Sequence, residues 1–193
     1  MTRIFAIAAA GFVLAAPAHA EWSLSNDASR LSFVTTKAGQ VAEVHRFHTL
    51  TGSIDASGNV SVAIDLASVD TLIPVRDERM RDILFEVAEF PEATLTGTVD
   101  TAAVASLGVG TTSTMAVEGT LSLRGQSVPV TVEFLVAKLS SSRIVASSLQ
   151  PVIINAGQVD LATGVEALRE VAGLPSISPA VPVSLVLTFD ADS

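Results

Sequence analysis

The chain contains no cysteine, which excludes disulfides, thiolate metal sites and cysteine nucleophiles together. Aromatic residues are scarce, at 5%, so an apolar interior has to be built mainly from Val, Leu and Ile. Charges are few as well, and the 11 Lys and Arg are outnumbered by 20 Asp and Glu, for a formal net charge of −9. So acidic a balance argues against nucleic acid or an anionic membrane surface as partner. Patterns for catalysis are also missing. The stretches Thr51-Gly52-Ser53-Ile54 and Leu107-Gly108-Val109-Gly110 lack the pattern of a nucleophile elbow, and no glycine-rich phosphate loop occurs. Asp65 and Asp70 stand five apart at a strand end, so strand geometry turns them to opposite sides. Beyond the N-terminal stretch the only histidines are His45 and His48. Their spacing of three puts them on opposite strand faces, which argues against a shared metal ion.

What is present begins with an export signal. Arg3 precedes an apolar run over 4–16, and Ala18-His19-Ala20 offers small residues at both cleavage positions. This reads as a secretory signal peptide over 1–20, with Glu21 as the first mature residue. The run is too short to span a bilayer comfortably. The expected product is one exported, periplasmic domain over 21–193 that does not span the membrane. At 49% hydrophobic residues, so weakly charged a chain must hide much of its aliphatic surface, in a large core or around a lined cavity.

Period-two alternation dominates the remainder and predicts strands. An opening strand carries Trp22, Leu24, Leu31 and Phe33, interrupted near Asn26-Asp27. A second runs over 41–54, then Ser57-Gly58-Asn59 turns into a third over 60–68. Further strands are expected over 93–99, in a hairpin around Arg124-Gly125-Gln126, over 144–149 and over 181–189, with a loose Ala/Gly/Ser connection up to Gly110. Two segments carry helical spacing instead. One is 75–87, with Val75, Arg79, Met80, Ile83 and Leu84. The other is 160–172, with Leu161, Val165, Leu168 and Val171, stopped by Gly173 and Pro175. About eight antiparallel strands with one or two short helices suggest an all-β closed barrel, because closure removes exposed edges. An eight-stranded barrel encloses packed side chains or one slim ligand.

The stretch between Ile64 and Gly97 is the most informative. A strand breaks at Pro74 into Arg76, Asp77, Glu78, Arg79, Arg81 and Asp82, followed by an apolar knot of Ile83, Leu84, Phe85, Phe90 and Pro91. The alternating charges suit a solvated face with local pairs such as Glu78 to Arg81 or Asp82 to Arg79, each contributing a few tenths of a kcal/mol. The knot suits the plug or wall of a cavity.

Four segments give the chain a family resemblance: WSLSNDASRLSFVTTK with RFHTLTGSI; VAIDLASVDTLIPVRDERMRDILFEVAEFPEATLTG; GTLSLRGQSVPVTVEF; and VPVSLVLTF. In this order they resemble the YceI-like family of secreted lipid-binding proteins. The resemblance implies a lipocalin-like antiparallel barrel whose elongated apolar cavity holds a polyisoprenoid chain, such as a polyprenyl tail or an isoprenoid quinone, with no covalent cofactor. Leu84-Phe85-Glu86 departs from the family's usual Phe-Phe-Asp. The segment PVIINAGQVDLATGVEALREVAGLPSIS is similar to a subgroup found with cytochrome b561-type membrane proteins.

The expected ligand-binding residues are Phe33, Phe47, Leu66, Phe85, Phe90 and Phe134 on the apolar faces. Met80, Ile83 and Leu84 join them at the gate, and Arg79 meets the head group. His45-Arg46-Phe47-His48 is the second choice for the cavity mouth. The leading expectation is a periplasmic carrier that sequesters an isoprenoid lipid. The alternative is an accessory module of a cytochrome b561-like partner in electron transfer or stress response, and a lipid hydrolase is the third reading. Related barrels commonly pair, so a homodimer is possible.

Overall fold

The structure, a computed structural model, describes residues 20–192. Of the export signal read over 1–20, all but Ala20 lies outside the described residues. Twelve strand segments share one sheet, and together they form a closed eight-stranded antiparallel barrel, as the alternation predicts. The excess of segments arises because several barrel strands are broken in two. β1 (Ala20–Leu24) and β2 (Arg30–Lys37) are halves of one strand, split by a 3-10 turn at Asn26–Ala28. β3 (Val41–Phe47) and β4 (Leu50–Asp55) are likewise one strand bent at His48-Thr49. β5 (Asn59–Asp65) passes through a 3-10 turn capped by the Asp65 carboxylate into the short β6 (Val69–Asp70). The sequence marks the first interruption near Asn26-Asp27 but reads 41–54 as continuous; the break there gives the two halves different partners, β2 and β6 for β3, β1 and β5 for β4.

Chain order then gives β7 (Glu92–Thr98), β8 (Thr112–Leu123), β9 (Gln126–Ser140), β10 (Arg143–Ser148), β11 (Val152–Asn155) and β12 (Ala180–Ala191). β12 closes the barrel, pairing with β10 and β11 along one side and with β1 and β2 along the other. On β9 the inward Val132, Phe134 and Val136 are buried while Thr131, Glu133 and Leu135 are exposed, the expected period of two. Gly97 and Gly119 face each other across β7 and β8. A Cβ on Gly119 would lie 2.2 Å from the Thr96 carbonyl oxygen, so only glycine permits this close approach of the two strands.

The helical pattern over 75–87 becomes α1 (Pro74–Arg79) running into a π-turn over Met80–Phe85. Pro74 occupies the first turn, where its missing N–H costs nothing. The pattern over 160–172 becomes α3 (Ala162–Val171). The connection read as loose contains a third helix, α2 (Thr101–Ser106), whose first turn is capped by the Asp100 carboxylate accepting from the Ala103 N–H at 3.0 Å. The pairing β11 with β12 also escapes sequence reading, because Val152–Asn155 is too short to show a period.

The π-turn and α3 pack on each other over one end of the barrel, with α1 leading into the π-turn. Gly164 makes that packing possible, because a Cβ there would sit 3.0 Å from both the Ile83 carbonyl oxygen and the Leu84 Cα. Arg124, in the tight β8–β9 turn at φ 48°, fastens the same roof. Its guanidinium donates to the Leu84 carbonyl at 3.0 Å, lies 3.2 Å from the Glu86 carboxylate and 3.6 Å from that of Asp160, and covers the Phe90 ring at 5.3 Å.

Candidate ligand-binding site

Beneath the roof lies a cavity of about 380 Å³, within the range of sites that enclose a small apolar molecule. Its walls come from alternate, inward residues of nearly every strand. Leu31 and Phe33 stand on β2, Phe47 on β3, Val62 and Ile64 on β5, Leu95 on β7, Val130 and Val132 on β9, and Val183 and Leu185 on β12. Its roof is Met80, Leu84 and Phe85 from the π-turn with Leu161, Val165, Leu168 and Ala172 of the α3 region. Rings of Phe33, Phe47 and Phe85 form a ladder with centroids 5.3 and 5.7 Å apart. A second space of about 60 Å³ lies deeper, lined by Ile54, Val117, Phe134, Ile144 and Phe189 among others, and shares Val62, Leu95, Val130 and Val132 with the first.

The polar lining residues are Thr35, Lys37, Glu43, His45, Arg76, Arg79 and Ser178, and bonds join them at one end. Lys37 Nζ and Arg76 Nη1 both reach Glu43 Oε2, at 2.7 and 2.8 Å. The Ser178 N–H donates to the Thr36 carbonyl at 2.8 Å, tying the 176–178 segment to the β2–β3 hairpin. A hydrogen bond from Lys37, seconded by Arg76, holds the Glu43 carboxyl below its usual range. His45 is buried with Nε2 at 2.9 Å from Thr35 Oγ1 and its ring 5.3 Å from that of Phe33, while Nδ1 has no partner. Burial first, and the Arg76 charge second, lower its pKa and hold the imidazole neutral. The cavity is thus apolar over most of its length with one charged mouth.

Of the sequence candidates, Phe33, Phe47, Leu66, Arg79, Met80, Leu84 and Phe85 line this cavity. Three do not. Phe134 faces inward but from the deeper half of the barrel, against the smaller space. Phe90 lies outside, beneath the Arg124 guanidinium. Ile83 leaves the lining because the wider π-turn brings residues 80, 84 and 85 inward and turns 83 away. Val171 is exposed and does not line the cavity, whereas Ala172, also exposed, borders it.

The second choice divides. His45 lines the cavity, whereas His48 points outward to Asp70 Oδ2 at 2.9 Å. The expected local pairs of Glu78 with Arg81 and of Asp82 with Arg79 are not formed among the described residues. Arg76 bonds across to β3, and the Asp77 carboxylate accepts from the Thr71 N–H at 2.8 Å. Residues missed were Thr35, Lys37, Glu43, Arg76 and the α3 face. The alternation of Thr35, Lys37 and of Glu43, His45 with the apolar residues of their strands was the available signal. No group of metal-ligating side chains occurs among the described residues, and no helix there is long and apolar enough to cross a membrane.

An antiparallel barrel closed on eight strands around an apolar cavity, with its mouth covered by short helices, defines the lipocalin-like class of ligand-enclosing folds. The YceI-like domain model matches residues 22–189, and the chain belongs to that family. A solved polyisoprenoid-binding domain from Saccharophagus degradans, implicated in plant cell wall breakdown, is 42% identical. It superposes with a TM-score of 0.88 over 90% of this chain and 100% of its own. Burkholderia cenocepacia BcnA, at 19% identity and TM-score 0.66, covers 86% of this chain and 98% of its own, and shares the fold. The Campylobacter jejuni YCEI protein does so at 16% and 0.56, over 77% and 85%. No curated protein matches the chain.

Proposed function

We propose that this protein is a binding protein for a polyisoprenoid lipid, a polyprenyl chain or an isoprenoid quinone, that it sequesters in the periplasm after export. The observation that carries this reading is the cavity itself, aliphatic along its length with charges confined to one mouth. Burial of a branched hydrocarbon chain is driven by apolar area, at roughly 25 cal/mol per Å², and needs no reactive group. The 42% identity to a polyisoprenoid-binding domain supports the same ligand class. The head group then sits at the mouth, where Arg76, Arg79 and Lys37 offer donors and neutral His45 offers a ring nitrogen. The function is sequestration or carriage, with no bond made or broken. A cytochrome b561-like membrane partner rests on the resemblance of 151–178 alone.

The test is native mass spectrometry of protein purified from its own host, followed by thermal unfolding with added isoprenoid quinone. A co-purifying isoprenoid mass is expected. At a free quinone concentration of about 100 Kd the folded state gains about 2.7 kcal/mol, a rise in Tm of about 5–10 °C for a domain this size. An empty protein whose Tm is indifferent to both quinone and polyprenyl phosphate would sink the reading.

A further inference from the structure

Beside the charged mouth the chain holds apolar side chains out in solvent. Leu72 is 81% exposed, Val75 50% and Ile73 43%. Leu72 also has φ 63°, a left-handed conformation that bulky residues avoid. A dense set of hydrogen bonds maintains it. The Leu72 N–H donates to Asp70 Oδ1 at 2.8 Å, and the Thr71 N–H to Asp77 Oδ1 at 2.8 Å. Arg76 donates through Nε to Thr71 Oγ1 at 2.8 Å and through Nη2 to the Thr71 carbonyl at 2.7 Å. The N–H groups of Arg76 and Asp77 close on the Ile73 carbonyl at 2.9 and 3.0 Å. A loop fixed this firmly, with strain at its tip, is shaped to present Leu72 outward and not left apolar by default.

We infer that Leu72, Ile73 and Val75 form a docking tip that enters the interfacial layer of a phospholipid bilayer and sets the cavity mouth against the membrane. This inference rests on the lipid-binding function proposed above. Ile73 and Val75 belong both to the exposed tip and to the cavity lining, so the apolar surface runs unbroken from outside the protein into its interior. A lipid tail leaving a bilayer along that path never crosses water. Among the mouth residues Lys37, Arg76 and Arg79 outnumber the one acid, Glu43. The body of the protein is acidic and Asp70, Asp77 and Glu78 lie close by. Apolar insertion therefore carries the attachment, and anionic lipid adds little.

The test uses the chain from Glu21 onward. This span contains every residue of the family match, and 90% of this chain covers the whole of a solved relative. Flotation is measured with vesicles of phosphatidylcholine alone and of phosphatidylcholine mixed equally with phosphatidylglycerol. Leu72→Asn suits the left-handed backbone, so its Tm is expected to hold or rise. Its vesicle partition falls about tenfold, the effect of withdrawing one large apolar side chain from the interface. The triple change L72N/I73S/V75S abolishes flotation.

Quinone transfer from vesicles slows in parallel in L72N, while equilibrium binding of quinone presented in detergent stays as in the parent. Failure of the parent to bind quinone in detergent, with flotation intact, overturns the lipid-binding function and leaves the docking tip standing. Unchanged flotation and transfer in L72N overturn the tip. So does an L72N effect confined to sedimentation mass, which would make the loop a contact between copies of this chain.

Discussion

The two halves of the barrel are built from the same strands and the same residue types, yet one is nearly filled and the other encloses a cavity of about 380 Å³. In the deep half, inward residues from opposite walls meet: Ile54, Phe134, Ile144 and Phe189 leave about 60 Å³ among them. In the upper half, beyond the breaks between β1 and β2 and between β3 and β4, the π-turn and the α3 region cover the space that the inward residues leave open. Phe33 and Phe134 make the contrast sharp, because each is 6% exposed but only Phe33 borders the large cavity.

The largest expected effect comes from deleting those two rings. Phe134→Ala opens a hole in a packed floor and is expected to cost about 3–5 kcal/mol of unfolding free energy. Phe33→Ala removes a ring that already lacks partners on its cavity side, and should cost at least about 1 kcal/mol less. Urea denaturation of ligand-free protein measures both, and equal costs would mean that the upper half collapses in solution. Ligand affinity separates the pair in the opposite sense: it falls in F33A and stays in F134A.

Much of this contrast was beyond a reading of the sequence. Alternation in 93–99, 126–136 and 181–189 was enough for the strands, because one face of each is buried. Leu161, Val165 and Leu168 were enough for α3. Depth within the barrel was not legible, since Phe33 and Phe134 have the same alternating neighbours and differ only in where closure places them. Arg76 looked like part of a solvated run because its partner Glu43 is 33 residues away. Ile83 was misread because a helical period of 3.6 was assumed where the chain takes a wider turn. The mouth is assembled from β2, β3, α1 and the 176–178 segment, which no local pattern connects.

A smaller effect is expected at the seam of the roof. Gly164→Ala places a methyl group 3.0 Å from the Ile83 carbonyl and the Leu84 Cα, so α3 and the π-turn must separate by a few tenths of an ångström. Overpacking of this kind costs about 1–3 kcal/mol, partly offset by the better helix propensity of alanine. Amide hydrogen exchange should quicken in 80–86 and 162–168 while protection in β8 and β9 is unchanged. Uniform loss across the barrel would show that roof and floor unfold as one unit, and that the contrast between them is geometric without being energetic.

The smallest effect concerns charge at the mouth. His45 is neutral when folded, its pKa lowered from 6.5 by burial and then by Arg76, against the opposing carboxylates of Glu43 and Asp77. The folded pKa lies below the unfolded one, so below about pH 6.5 the unfolded chain takes up the proton first and stability falls as pH decreases. The carboxyl of Glu43 is held low in the same way, and its contribution is lost only below 4.5. Stability should therefore decline in two steps, the first absent from His45→Gln and the second shared by both proteins. Tm measured between pH 7.5 and 4 reads the difference. If the first step persists in H45Q, it cannot arise at the mouth.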